Sequence, residues 1–139
     1  MNRTLKDLKV SEIMKREVVT VTENVTVGEL RDLFEKYDFN AFPVVRSGIL
    51  VGMVTKLDLL KTLTTGRSPT IRGVMNLWAE KVKEIMHRAV VTVKPTDDIM
   101  TVADYMVEFR LRSIPVVEEK RLVGIISRSD LMPHVIEEN

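Results

Sequence analysis

Two seven-residue stretches have the residue types and spacing for ligand chemistry. They are Gly52-Met53-Val54-Thr55-Lys56-Leu57-Asp58 and Gly124-Ile125-Ile126-Ser127-Arg128-Ser129-Asp130. Each runs glycine, two apolar residues, a hydroxyl residue, two variable residues and aspartate. Where a strand gives way to a helix, the unpaired N–H groups and partial positive charge of the helix start suit an anion. The hydroxyl can donate to a phosphate or ribose oxygen, and a carboxylate one turn later can accept from both hydroxyls of a ribose. Glycine lets a ligand approach the backbone closely. The same residues also serve a purely structural end. Thr55 with Asp58, and Ser127 with Asp130, spell capping boxes with Asp as a shorter substitute for Glu. An aspartate folded back onto its cap is less free to clamp a sugar. On the residues alone both readings stand.

The two stretches belong to a longer repeat. Val10–Leu59 and Val82–Leu131 align without a gap at an offset of 72, with 18 identical pairs over 50 positions. The identities are grouped: Glu12-Ile13-Met14 with Glu84-Ile85-Met86, Val18–Val21 with Val90–Val93, and Pro43-Val44-Val45 with Pro115-Val116-Val117. Leu50-Val51-Gly52 and Asp58-Leu59 recur in the same way. Grouping of this kind marks a duplicated structural unit.

Each copy prescribes the elements that position its motif. The β-branched runs 18–21 and 90–93 predict strands. A helix follows. Thr26 and Glu29 fit a capping box, with Val27, Leu30, Phe34 and Tyr37 at helical spacing; Asp98 caps the counterpart, whose stripe is Ile99, Val102, Met106 and Phe109. Gly28 weakens the first of these helices by about 1 kcal/mol. Two antiparallel strands come next, Phe42–Val45 with Leu50–Val54 around Ser47-Gly48, and Ile114–Val117 with Leu122–Ile126 around Glu118–Arg121. Pro43 and Pro115 fall at the strand starts, where a missing N–H is tolerable. A last helix begins near Lys56 and Arg128, with Leu59, Leu60 and Leu63 facing inward in the first copy. Between the copies, 64–69 reads as a loop and Ile71–Trp78 as a short helix. The division expected is a first repeat with its lead-in at 1–63, a linker at 64–81 and a second repeat at 82–139. A unit of about 50 residues is small for a core of its own, so the copies should pack on each other, sheet against sheet.

Composition narrows the function classes. The chain has 139 residues, 45% hydrophobic and 29% charged, with a formal net charge of +1, which opposes disorder and strong non-specific nucleic-acid binding. The absence of cysteine removes disulfides and thiolate chemistry. No run approaches the roughly 20 apolar residues of a membrane span. The first ten residues lack the apolar core of an export signal, so a cytoplasmic location is the expectation. His87 and His134 are isolated in sequence, with no carboxylate at ligand spacing. No nucleophile or acid–base set stands out, so an enzyme is the least favoured class. Trp78 reads as a packing or dimer-contact residue. Met14, Met86, Met100 and Met106 read as fillers of core or interface gaps.

The ordered set of marks resembles a tandem CBS (cystathionine-beta-synthase-type) domain pair, a Bateman module. The marks are the lead-ins Val10–Met14 and Val82–Met86, the Thr20-Val21 and Thr92-Val93 segments, the Pro-Val-Val strands, and the Gly-x-x-Thr/Ser-x-x-Asp endings. The resemblance implies an α+β fold of two pseudo-symmetric β-α-β-β-α repeats packed through their sheets. It implies an adenosine-containing ligand (AMP, ADP, ATP, S-adenosylmethionine or NAD) in clefts between the repeats. Asp58 or Asp130 would hold the ribose hydroxyls, and Thr55 or Ser127 would sit near ribose or phosphate. Thr20-Val21 or Thr92-Val93 would border the base, with Phe42 or Ile114 against the adenine face.

Phosphates call for cations, Arg above all. The second copy has Lys94, Arg110, Arg112, Arg121 and Arg128; the first has Arg46 and Lys56 beside Glu23 and Asp38. The tighter ligand is therefore expected at Asp130. No resident cofactor is implied; the nucleotide is a regulatory ligand, and Mg²⁺ is compatible with a polyphosphate. The resulting expectation is a stand-alone sensor, homodimeric, signalling to an effector protein by a change of shape. A ligand-free interaction scaffold and a nucleic-acid-binding module are the alternatives.

Overall fold

The computed structural model describes residues 6–64 and 77–137. The elements are α1 (Val10–Ile13), α2 (Val27–Lys36), β1 (Ala41–Arg46), β2 (Ile49–Thr55), α3 (Lys56–Thr64), a single 3-10 turn (Val82–Glu84), α4 (Ile99–Phe109), β3 (Ser113–Glu118), β4 (Arg121–Ser127) and α5 (Arg128–Glu137). The chain is α+β, as expected. The loop expected beyond Thr64 and most of the Ile71–Trp78 helix lie outside the described residues; Leu77 and Trp78 are helical.

The chain sorts into two compact units. One is Val19–Val90; the other joins the lead-in up to Val18 to the chain from Val91 onward. Each lead-in thus completes the core of the opposite repeat. Val10, fully buried, packs with Val93, Ile99 and Ile114, while Val82, also fully buried, packs with Val21, Val27 and Phe42. Backbone bonds fix both: Val10 N–H to the Asp97 carbonyl at 2.9 Å, and Val82 N–H to the Val25 carbonyl at 2.8 Å. The lead-ins share Val, Glu, Ile and Met at matched positions, so either copy of the segment suits either core.

The expected opening strands 18–21 and 90–93 are each reduced to one parallel bridge, Val21 with Val44 and Val93 with Val116. Pro43 explains the reduction. Val21 donates to the Pro43 carbonyl at 3.0 Å and accepts from Val45 N–H at 2.9 Å. The next rung would need an N–H from residue 43, which proline lacks. Pro115 stops the second ladder in the same way. Both prolines therefore sit inside their strands, opposite Met53 and Ile125, rather than at the starts, with the bare nitrogen turned away from the hairpin partner.

The β1–β2 and β3–β4 hairpins close with two-residue turns at positive φ: Ser47 and Gly48 (50° and 82°), Glu119 and Lys120 (50° and 71°). Positive φ at both positions matches the strand twist. The second connection is thus tighter than the four residues expected.

Thr26 caps α2, accepting from Glu29 N–H at 3.1 Å; Asp98 caps α4, accepting from Thr101 N–H at 2.8 Å. Val27, Leu30 and Phe34 on one helix, and Ile99, Val102 and Met106 on the other, fill the two cores as their spacing requires. Phe109 does not join its stripe and is half exposed. Arg110 turns left-handed (φ 55°), and Leu111 N–H returns to the Met106 carbonyl at 3.0 Å. Leu111 then covers the helix end in place of Phe109, as apolar residues beyond a left-handed cap do. On α3, Asp58, Leu59 and Thr62 face inward and Leu60 is exposed, because successive helical residues turn by about 100°.

Candidate functional site

Both seven-residue stretches cross from strand to helix: β2 runs directly into α3 and β4 into α5. The hairpin registers set what lies beside each junction. Ala41 pairs with Thr55 and Ser113 with Ser127, so the segments ahead of β1 and β3 reach the helix starts. Lys56 N–H donates to the Asn40 carbonyl at 2.9 Å, and Arg128 N–H to the Arg112 carbonyl at 3.0 Å. The Arg128 side chain is itself anchored, its Nε donating to the Leu111 carbonyl at 2.7 Å. This draws Arg112, Ser127, Arg128 and Asp130 to one end of their unit.

Both capping boxes are made. Thr55 N–H donates to Asp58 Oδ2 at 2.8 Å, and Asp58 N–H to Thr55 Oγ1 at 3.1 Å. Ser127 N–H donates to Asp130 Oδ2 at 2.8 Å, and Asp130 N–H to Ser127 Oγ at 3.3 Å. In each aspartate one oxygen is thus committed to the helix start, and Oδ1 is left for another partner.

Two residues that sequence reading missed meet those Oδ1 atoms. His87 Nε2 lies 2.5 Å from Asp58 Oδ1, and Lys15 Nζ lies 3.5 Å from Asp130 Oδ1. Lys15 and His87 are themselves matched across the repeat, each directly after the lead-in methionine. They are presented by two-way backbone bridges: His87 with Met53 (2.8 and 2.9 Å), Lys15 with Ile125 (2.9 Å both ways). The repeat offset carried the clue, since the position after Glu-Ile-Met holds a proton-bearing nitrogen in both copies. What it lacked was the partner, far along the chain.

These bridges also correct the reading of the motif glycines. A Cβ on Gly52 would stand 2.7 Å from the His87 carbonyl oxygen, and one on Gly124 would stand 2.7 Å from Met14 Sδ and 2.9 Å from the Lys15 carbonyl oxygen. The lead-in backbone, rather than a ligand, fills the space each glycine leaves.

Other expected site residues fall differently. Phe42 and Ile114 are fully buried in their own cores, and Phe42 lies against Phe34 with ring centroids 4.7 Å apart. Strand alternation turns both inward, so neither presents a face to adenine as expected. Val21 and Val93 are buried through their side chains, while Thr20 and Thr92 are half-buried beside them. Arg121 pairs with Glu118 beside the hairpin turn, at the opposite end of β4 from Ser127, about 20 Å of strand away. Arg46 is likewise at its turn, bonded to Glu23, which Arg88 also approaches at 3.7 Å. Both arginines lie at the hairpin turns, away from the helix starts. Among the described residues no helix is long and apolar enough to cross a membrane.

The CBS domain family matches residues 10–65 and 82–137. The chain belongs to that family and carries its unit twice. It is 31% identical over 123 residues to the CBS domain-containing protein YhcV of Bacillus subtilis, covering 88% of this chain and 81% of that one. An uncharacterized protein of Methanocaldococcus jannaschii is 31% identical over 98% of this chain, which spans about a third (34%) of its length. Among solved structures, the CBS domain pair of protein MJ0100 in complex with 5′-methylthioadenosine and S-adenosyl-L-methionine is 26% identical, with a TM-score of 0.79 over 95% of this chain and 98% of that one.

Proposed function

We propose that this CBS pair is a regulatory module, not an enzyme, that binds an adenosine-containing small molecule and passes the occupancy to a partner protein. The observation that carries the reading is Asp130 Oδ1, which the helix cap leaves unused, at a helix start with Lys15, Arg112 and Arg128 at the same end of the unit. A carboxylate there accepts from a ribose diol, and the cations suit a phosphate or a carboxylate further along the ligand. The adenosine ligands held by the similar CBS pair support the class. AMP, ADP, ATP, S-adenosylmethionine and NAD are the candidates. Ser127 stands by the ribose, and Thr92 and the Val93 backbone border the base. The corresponding set at the other site is Thr55, Lys56 and Asp58 with Thr20 and the Val21 backbone. Ligand binding favours the arrangement that binds it best, and a second copy of the chain or an effector reads the change.

A thermal-shift series with the five candidates tests this. Saturable stabilisation by at least one is expected; a flat response from folded protein contradicts it. That flat response is what the second reading expects. The two completed capping boxes favour a ligand-free scaffold, in which both aspartates do no more than start helices.

A further inference from the structure

The two motif aspartates are capped alike but covered differently. Asp58 is 6% exposed, its Oδ1 bonded to His87 Nε2 at 2.5 Å. The Asp130 side chain is 12% exposed, and its Oδ1 has Lys15 at 3.5 Å, beyond a good hydrogen bond. The residues doing the covering also differ. The His87 ring turns on only two rotatable bonds from a backbone bonded both ways to Met53, and it makes the shorter contact. Both side chains are more than half exposed (59% for His87, 58% for Lys15), but Lys15 carries its ammonium on a flexible four-carbon stem, so it can swing aside and keep its hydration. A ribose diol arriving at Asp130 displaces a loose ion pair; one arriving at Asp58 must break a short hydrogen bond to a buried carboxylate.

We infer that the residue following the lead-in methionine sets site occupancy, His87 closing Asp58 and Lys15 leaving Asp130 open, so that the chain binds one adenosine ligand rather than two. This rests on the aspartate reading above and adds the stoichiometry and the residue that controls it. His87→Ala is a benign substitution, because the pairing with Met53 runs through the backbone and the ring is 59% exposed.

Calorimetric titration with AMP and with S-adenosyl-L-methionine tests the inference. Wild type should take up one equivalent per chain, lost in Asp130→Asn. His87→Ala should gain a second, with affinity at Asp58 raised at least tenfold, and His87→Ala/Asp58→Asn should lose it again. Wild-type uptake of two equivalents, one of them lost in Asp58→Asn, overturns the inference. So does a single Asp130-dependent equivalent in both wild type and His87→Ala; in either case the aspartate reading survives. Absence of binding by wild type and His87→Ala alike removes that reading, and the inference with it.

Discussion

Gly52 and His87 are so close that any side chain on the glycine would collide with the histidine's backbone carbonyl. The lead-in of one repeat is held against the motif strand of the other by this approach and by the bridge through Met53. Gly52→Ala and Gly124→Ala should each destabilise the protein by about 1–3 kcal/mol, the usual cost of overpacking. Gly28→Ala should do the reverse. Its Cβ would make ordinary contact with Trp78 Cβ at 3.4 Å, and the helix gains about 0.5–1 kcal/mol from losing a glycine. Urea denaturation separates the three variants. Equal effects at positions 28 and 52 would contradict the close approach.

The hairpin turns allow a second comparison. Ser47-Gly48 has a glycine at its second left-handed position; Glu119-Lys120 has none. Left-handed backbone costs an ordinary residue about 1–2 kcal/mol, of which part returns as unfolded-state entropy when glycine is introduced. Lys120→Gly should therefore stabilise by about 0.5–1 kcal/mol, read as a higher urea midpoint with an unchanged slope.

Asp98 links stability to pH. The Thr101 backbone N–H, and after it the Thr101 hydroxyl, hold its carboxyl below the ordinary 3.8 against the opposing effect of burial, with Lys9 and Lys6 adding to the lowering. A depressed carboxyl stabilises the fold fully above its unfolded pKa, and the contribution is lost as pH falls through the lower, folded value. Asn caps about as well as Asp but does not titrate. The stability of wild type relative to Asp98→Asn should be constant from pH 6 to 5 and decline from about pH 4 downward. A difference that grows on acidification would contradict the assignment.

Much of this structure was legible as periodicity. The buried stripes of α2 and α4, both caps, both hairpins and the α+β repeat follow from spacing that either copy displays alone. The departures come from residues that act on distant backbone. Pro43 cuts its parallel ladder to one rung because it has no N–H to offer the Val19 carbonyl, and nothing local to 18–21 announces that. Phe109 loses its place to Leu111 through a left-handed turn at Arg110, a conformation that arginine does not advertise. His87 has its partner Asp58 29 residues away, and the nearer Glu84 gives no sign of it. The repeat marked both motif aspartates, and only the tertiary structure distinguishes how they are covered.

Binding at Asp130 is tested by comparing wild type with Asp130→Asn in calorimetric titration. The probes are AMP and S-adenosyl-L-methionine, with circular dichroism confirming that the variant is folded. Asn retains an oxygen for the Ser127 N–H but turns an amide NH₂, a donor, toward the ribose in place of the acceptor Oδ1. At least a tenfold loss of affinity for whichever probe the wild type binds is the predicted result; unchanged affinity in a folded variant would contradict it.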